Sequence, residues 1–354
     1  MTGLRVGLVL ALSVGMLSHC GRKPAPPVLP IAPVKAGPEI TVQTTPVPLD
    51  TANPAKTALE GGFSYAGGIA ITSNQTSLLH GLSDLGMGPG GTLVAISDAG
   101  DLFEARLQLD PAGRLVGLTD AKLQGLKGLD GAALPNKDAA DAEGLAILAN
   151  GDRLVSFERD HRIWLYPAPV NGVAAPPRVA PKPATTFPFN EGMEAIAAYP
   201  AAGPDAYIVG GEEGEVWLCR LSTACQAIAP QQGPDFTWGL TAMAAFQGKA
   251  IATLHRGYDP IRGFRAILRF IADPLAPAAR QVQIASLHLD GSTTRDNFEG
   301  VALSQAPSGA TRIYLLSDDQ AIGNQRTLLM AFDWTPPPPP APLPPKTKKP
   351  VRKR

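Results

Sequence analysis

The sequence predicts an all-β fold of the β-propeller class, a ring of small sheets called blades, and three observations predict it. A Gly followed by a large apolar residue recurs five times, 47 to 63 residues apart, which is the spacing of a propeller or a solenoid. A second strand-like run ends 14 to 20 residues past each of these glycines. Gly and Pro make up 73 of 354 residues and aromatic residues only 6 %, a composition of strands and turns.

The residue before each Gly and the residue ending each second run form two sets of five. The first set is His80, Glu143, Glu191, Trp238 and Glu299, and the second set is Asp98, Glu158, Glu212, His255 and Asp318. In an antiparallel meander, the end of one strand lies beside the start of the strand before it. If the blades close into a ring, all ten positions meet at one mouth of the central channel. Seven of the ten are carboxylates, which is costly unless positive charge lies among them.

The repeats predict five blades, and a sixth also fits the imprecise boundaries. Each internal repeat has room for about four strands, whereas the last shows only three. An N-terminal strand within 63–72 would complete the last blade and remove its free edge. The propeller is expected over residues 58–334, which hold 20 Lys and Arg against 29 Asp and Glu. An excess of acidic residues does not suit the binding of nucleic acid. The protein is expected to be a monomer.

Residues 1–20 have the pattern of an export signal. Arg5 precedes an apolar run, 6–17, that is too short to span a bilayer comfortably. The segment resembles a bacterial lipoprotein signal in which Cys20 becomes the lipidated first residue, with His19 in place of the usual Gly or Ala. The expectation is a periplasmic, lipid-anchored protein, with the outer membrane favoured; ordinary secretion and a retained anchor are the alternatives. Residues 21–57 carry nine prolines and are expected to be an extended tether.

The two cysteines that remain after Cys20 support export. Cys219 and Cys225 flank a turn-sized segment between two strand-like runs. A disulfide across this hairpin is the prediction for an oxidising compartment, and two free thiols are the alternative.

The C-terminal segment 335–354 begins with a proline run and ends with six basic residues and no acid. The proline run predicts a stiff extended rod, and the basic end suits contact with an anionic envelope component. A solvated, disordered end is the alternative.

The predicted mouth has the composition of a hard-cation site. Calcium takes six to eight oxygen ligands in flexible geometry. The first candidates for its ligands are Glu143, Glu191 and Glu299, with Asp98, Glu158 and Asp318 next. The few histidines disfavour a three-histidine zinc site. The alternative is that these Glu side chains accept backbone hydrogen bonds at the Gly turns and act as structural latches.

Basic residues beside the acids suit an anionic group. Arg binds phosphate or carboxylate with two parallel hydrogen bonds, and the candidate substrate-binding residues are Arg159, Arg256, His161 and Arg326. The acid–base candidates are His255 and Glu158. No Gly-x-Ser-x-Gly motif is present, so a serine triad is not expected. Mutual neutralisation of Arg and Glu is the alternative.

Several motifs, in order, resemble those of the phytase-like family, whose domain is described by the esterase-like activity of phytase. They include Asp141-Ala142-Glu143-Gly144-Leu145, Asn190-Glu191-Gly192-Met193-Glu194, Asn297-Phe298-Glu299-Gly300-Val301 and Leu316-Ser317-Asp318-Asp319. The resemblance covers about residues 63–332 and implies an exported β-propeller with esterase or phosphoesterase activity and calcium as a cofactor. The leading hypothesis is metal-dependent hydrolysis of a small anionic ester or phosphoester. The alternative is a non-catalytic propeller that binds an envelope ligand or protein.

Overall fold

The computed structural model describes residues 38–320 and 325–338, in which 21 β-strands form five antiparallel sheets. The predictions on the export signal, on Cys20 and on the basic tail fall outside these residues. Four sheets have four strands and one has five. The predicted five-bladed propeller is therefore confirmed.

The strands follow one another blade by blade. Two strands precede the first blade, β1 (Gln43–Pro46) and β2 (Phe63–Thr72). Blade 1 is β3 (Leu82–Met87), β4 (Thr92–Ser97), β5 (Asp101–Leu109) and β6 (Leu115–Gly125). Blade 2 is β7 (Ala142–Ile147), β8 (Arg153–Phe157), β9 (Arg162–Tyr166) and β10 (Arg178–Ala180). Blade 3 is β11 (Ala195–Ala198), β12 (Ala206–Gly210), β13 (Val216–Arg220) and β14 (Thr223–Ile228).

Blade 4 is β15 (Trp238–Ala245), β16 (Ile251–Asp259), β17 (Gly263–Ile271) and β18 (Gln283–Leu289). Blade 5 contains β19 (Phe298–Gln305), β20 (Thr311–Ser317) and β21 (Leu328–Trp334), followed in space by β2 and β1. The only α-helix within the described ranges is α1 (Lys137–Ala140), a single turn before blade 2. No helix in this part of the chain has the length and apolarity that crossing a bilayer requires.

The first strand of each blade lines the central channel. Neighbouring first strands contact one another around the ring, from β3 to β7, β11, β15, β19 and back to β3. Small residues allow this approach: a Cβ atom at Gly300 would lie 2.6 Å from Leu85 Cδ2 of blade 1, and one at Gly144 would lie 2.7 Å from the Glu194 carbonyl oxygen of blade 3. The convergence of the strands on the axis therefore selects Gly or Ala at this level.

The ring closes between the two ends of the chain. Strand β2 pairs antiparallel with β21, with Phe63 opposite Trp334 and Ile69 opposite Leu329. Phe63, Phe270 and Trp334 then pack together at the boundary of blades 4 and 5. The prediction that an N-terminal strand completes the last blade is confirmed.

The folded body begins earlier than the predicted boundary at residue 58. The segment Gln43–Pro46 pairs with β2 as a fifth strand of blade 5, and Val47 and Leu49 after it are buried. Ile40 is also buried and donates its N–H to the Ala121 carbonyl oxygen, so the tether predicted for residues 21–57 is wrong over its described part, 38–57. The prolines misled because Pro is tolerated on an edge strand, where no partner needs its missing N–H.

In blade 3, strands β13 and β14 are joined by the predicted disulfide between Cys219 and Cys225. The bond staples the two outer strands of this blade, where the register shifts by one residue between Leu218 and Arg220.

Candidate functional site

The functional end of the channel is built on β-bulges in the innermost strands. In β7 the pairing skips Glu143, between Ala142 and Gly144, and in β19 it skips Glu299 in the same way. A bulge leaves the extra residue unpaired and re-aims its side chain, and bulges are common next to active sites. The corresponding residues at the five inner strands, which we call the first ring, are Ser83, Glu143, Glu194, Thr241 and Glu299.

A second ring comes from the ends of the second strands. At the same height in each blade lie Asp98, Glu158, Glu212, Arg256 and Asp318. All members of the two rings except Thr241 line one cavity of about 410 Å³, which we call the mouth. The two rings therefore bring seven carboxylates and one cation, Arg256, to a single place.

The structure corrects the predicted register of three blades. His80, Glu191 and Trp238 each lie three residues before the true first-ring position, and Glu191 is exposed outside the mouth. The prediction took the residue before the Gly as the ring position in every blade. In these three blades, however, the Gly lies two residues before the ring position. The pattern that would have found Glu194 is Glu, a small residue, an apolar residue and Ala, as in Glu143-Gly-Leu-Ala and Glu299-Gly-Val-Ala. The small residue marks the convergence of strands on the axis.

Arg256 holds three partners on the wall of the mouth. Its Nη1 donates hydrogen bonds to Glu299 and, at 2.9 Å, to Asn297 Oδ1, and its Nη2 donates to Glu212 Oε1 at 3.2 Å. Burial alone would lower the pKa of Arg256, but Glu299 and the neighbouring carboxylates outweigh burial and raise it. The guanidinium therefore remains charged and ties blades 3, 4 and 5 together.

Glu143 and Glu194 lack such support. Among the described residues, none donates a hydrogen bond to either carboxylate. Burial, followed by the charges of Glu194 and Glu299, raises the pKa of Glu143 well above its ordinary range. Burial, followed by Glu212 and Glu299, does the same to the pKa of Glu194. The carboxylates of Glu143 and Glu194 thus face the mouth without a hydrogen-bond donor among the described residues.

Two further acids titrate near neutral pH. Burial, together with the charge of Asp141, raises the pKa of Glu158 to about 7, although Arg159 opposes the shift. Burial and Glu299 raise the pKa of Asp318 to about 8. Both side chains line the mouth, as does Asp98.

Asp141, which precedes β7, is neutralised by two cations that sequence reasoning did not pair with it. Lys137 of α1 binds Asp141 and lies 2.8 Å from Asp98 Oδ2. Arg159 Nε lies 2.9 Å from Asp141 Oδ2, and Arg159 Nη1 lies 2.9 Å from the exposed Asp138. The helix positions Lys137 because Asn136 caps its N-terminus by accepting from the Ala139 N–H. The predicted mutual neutralisation of basic and acidic side chains describes this side of the mouth.

A latch between blades exists, but it is Asp84 and not a ring glutamate. Asp84 is fully buried in β3, where its carboxylate accepts the Leu85 N–H at 2.7 Å and the Leu145 N–H of blade 2 at 2.8 Å. It also accepts the Val301 N–H of blade 5. Burial raises the pKa of Asp84, and these backbone hydrogen bonds oppose the rise. Asp84 thus fixes the strands that carry Glu143 and Glu299.

Three of the predicted ligand-binding or acid–base residues lie away from the mouth. His255, a residue of β16, is fully buried and does not line the mouth. The second-ring position of this blade is taken by its neighbour Arg256. His161 contacts the Pro188 carbonyl oxygen at 2.8 Å, and Arg326 lies 3.3 Å from Asp296 Oδ2 in a neighbouring pocket. The acid–base role predicted for His255 at the mouth has no support in this placement.

His255 is instead a buried neutral group. Its Nε2 lies 2.7 Å from the Gln231 carbonyl oxygen, so Nε2 carries the proton and donates it. Arg269 Nη2 lies 3.0 Å from Nε2 and 3.3 Å from Nδ1, and Nδ1 is the ring atom free to accept from it because Nε2 carries the proton. Burial, followed by the charge of Arg269, lowers the pKa of His255 to about 3.

This burial predicts a specific acid sensitivity. Between pH 6.5 and about 3 the unfolded chain binds a proton at residue 255 that the folded chain refuses, so stability falls as the pH falls through this window. From pH 7 to 5 the loss is about 2 kcal/mol. Between pH 7 and 5, the free energy of unfolding should fall by about 2 kcal/mol less in His255→Gln than in the wild type. Urea unfolding at the two pH values measures this difference. The exposed His288→Gln is the control, and equal pH slopes in wild type and His255→Gln would contradict the assignment.

The acidic side chains of the mouth fit a hard divalent cation. One oxygen each of Asp141, Glu143 and Glu158 lies within 4.8 Å of the others. Oxygens about twice a calcium–oxygen distance apart can share one ion, and carboxylates are the donors that calcium prefers. Asp141 is already paired with Lys137 and Arg159, whereas Glu143 and Glu194 have no such partner. Among the described residues, the group that could hold an ion is therefore Asp141, Glu143 and Glu158, and Glu194 faces the same mouth.

The chain is similar to one protein family in sequence and to several solved β-propellers in fold. A sequence model of the family described as "Phytase-like: Esterase-like activity of phytase" matches residues 77–321. No curated protein matches the chain. Similar solved structures include the Cps50 (Swd1) β-propeller domain of Myceliophteria thermophila, at 12 % identity over 84 % of this chain and 100 % of that one, with a TM-score of 0.39. A streptogramin B lyase has 8 % identity over 84 % and 98 %, with a TM-score of 0.41.

Proposed function

The chain belongs to the phytase-like family described by the esterase-like activity of phytase, and from this membership and the mouth we propose a metal-dependent hydrolase of phosphoesters or esters. The observation that carries the proposal is the pair of rings, which brings seven carboxylates and Arg256 to one cavity of about 410 Å³. A site of this charge would attract a cation, and the bound charge would offset the repulsion between the carboxylates and an anionic ester.

Glu143 and Glu194, which have no ion-pair partner among the described residues, are the proposed ligands of the cation, and calcium is the proposed ion; Glu299, also predicted as a ligand, is paired with Arg256. The chemistry that such a cation supplies is polarisation of the carbonyl or phosphoryl oxygen. Arg256 keeps Glu299 and Glu212 in place, because it donates hydrogen bonds to both carboxylates and to Asn297. Asp84 holds the backbone beside Glu143 and Glu299.

Glu158 is the proposed acid–base residue. Its carboxylate lines the mouth within reach of Glu143, where it could accept a proton from the attacking water and return one to the leaving group. Arg159 is the proposed contact for the anionic group. Its Nη1 is paired only with Asp138, whose side chain is 62 % exposed and therefore displaceable.

The test is hydrolysis of p-nitrophenyl phosphate and p-nitrophenyl acetate by the purified protein, with calcium and with EDTA. We expect calcium-dependent turnover on at least one substrate and a loss of about 100-fold in Glu158→Gln. Asp290→Asn, an exposed carboxylate that lines neither the mouth nor the cavity beside it, is the matched control and keeps full activity. No turnover on either substrate would contradict the proposal and favour a propeller that only binds.

We also propose that the protein is exported and lipid-anchored in the periplasm through Cys20. The disulfide between Cys219 and Cys225 supports an oxidising compartment. Fractionation of cells tests the anchor: Cys20→Ser should move the protein from the membrane to the soluble fraction, and an unchanged distribution would sink the idea.

A further inference from the structure

A second cavity opens beside the mouth. Its volume is about 860 Å³, and it shares Glu212 and Arg256 with the mouth. Its remaining walls come mainly from blade 4 and the loop before it, and we call it the side cleft. A molecule whose reactive group sits in the mouth would therefore have room for a further unit here.

The centre of the side cleft is a fixed indole. Trp238 of β15 pairs across the sheet with Gly257 of β16, which pairs in turn with Arg265 of β17. A Cβ atom at Gly257 would lie 2.9 Å from Trp238 Cδ2, so the indole lies directly against the Gly257 backbone. Arg265 Cζ lies 4.7 Å from the ring centroid. The Trp238 ring is thus held in one orientation, and part of it stays open to the cleft.

Other aromatic side chains stand around it. Tyr258 is 56 % exposed and contacts Phe264 with ring centroids 5.0 Å apart, and Phe236, in the loop before β15, is fully exposed. Exposed aromatic rings clustered at one cavity are costly in water, and such clusters mark binding sites. Rings that are rigid before binding lose little entropy when a ligand stacks on them.

The charges of the cleft select the ligand. Apart from Arg256, which is paired with Glu212 and Glu299, the charged groups on its walls are carboxylates: Glu191, Glu212, Glu213 and Asp235. Carboxylates repel an anion and accept hydrogen bonds from hydroxyl groups. Arg265 already makes a cation–π contact with Trp238, and its positive charge disfavours a second cation at the same indole. A neutral ring bearing hydroxyl groups satisfies both conditions.

We propose that the side cleft binds a neutral sugar ring packed against the open part of Trp238 and the exposed Tyr258 ring. Resting on the proposed function, the substrate class would be an ester or phosphoester of a glycoside, with its ester group in the mouth and its sugar in the side cleft. The carboxylates of the cleft would accept the sugar hydroxyls, and Tyr258 would cover the edge of the ring.

Binding is tested apart from hydrolysis, by saturation-transfer NMR and titration of the full chain with methyl β-glucopyranoside, choline and methyl phosphate. We expect the glucoside to bind, choline and methyl phosphate not to bind at the cleft, and Trp238→Ala to weaken the glucoside at least tenfold. Tyr258→Ala, an exposed residue whose loss spares the fold, should weaken it about threefold. Phe189→Ala, an exposed aromatic outside the cleft, should change nothing.

The outcomes separate the two proposals. Sugar binding that survives in EDTA and in Glu158→Gln supports the cleft even if no hydrolysis is found. Hydrolysis of p-nitrophenyl esters without any sugar binding, or with binding unchanged in both Trp238→Ala and Tyr258→Ala, would overturn the cleft and leave the hydrolase intact. Binding of choline in preference to the glucoside would also overturn it.

Discussion

Replacing Asp84 with Ala should lower the free energy of unfolding by about 3 to 5 kcal/mol, the largest loss that we expect from a single polar side chain here. Three backbone N–H groups on three strands, those of Leu85, Leu145 and Val301, lose their acceptor. Each buried donor left without a partner costs about 1 to 3 kcal/mol. The removed carboxylate no longer has to be desolvated, which keeps the sum toward the lower end.

Urea unfolding of Asp84→Ala measures this loss, and Asp110→Ala is the matched control. Asp110 also accepts two backbone N–H groups, those of Ala112 and Arg114, but in an exposed turn where water can replace it. The control should lose less than about 1 kcal/mol. Equal losses in the two variants would show that Asp84 is not a latch between blades 1, 2 and 5.

Replacing Arg256 with Met should cost about 3 kcal/mol or more in calcium-free buffer. The change leaves Glu299 and Glu212 without their cation inside a mouth that holds five other ring carboxylates. The loss should grow as the pH rises past 8, because Asp318, with a pKa of about 8, then becomes charged as well. Calcium should restore part of the stability.

Arg326→Met provides the comparison for Arg256. Arg326 also pairs with a carboxylate, Asp296, but its side chain is 48 % exposed, so its removal should cost at most about 1 kcal/mol. Thermal melts of both variants with and without calcium distinguish the two positions. A melting temperature of Arg256→Met that stays within error of the wild type would contradict the role of Arg256 as the cation of the rings.

The sequence predicted the ring because its signals are local. Repeat spacing and strand composition need no knowledge of the neighbouring blade, and the missing strand of the last repeat pointed to closure by β2. Strand β1 was missed because prolines in 43–57 read as a tether, although an edge strand tolerates them.

The mouth was predicted in composition, and six of its seven ring carboxylates were identified, but the register was wrong in blades 1, 3 and 4. Seven carboxylates and an arginine were expected there, yet Glu194 and Arg256 occupy the ring positions assigned to Glu191 and His255. The height of a side chain in the channel depends on a bulge and on how closely the inner strands approach the axis. Neither is a property of one strand. The latch Asp84 was missed for the same reason, because its partners lie on two other blades.

The central claim is that the first ring binds a divalent cation, and calcium titration of the EDTA-treated protein by calorimetry tests it most directly. The account predicts one calcium ion per chain, binding weakened at least tenfold in Glu143→Gln and in Glu194→Gln, and unchanged binding in Glu191→Gln. Glu194 and Glu191 are only three residues apart, so this comparison also tests the register of the ring. Absence of calcium binding to the wild type, or equal weakening in Glu191→Gln and Glu194→Gln, would contradict the account.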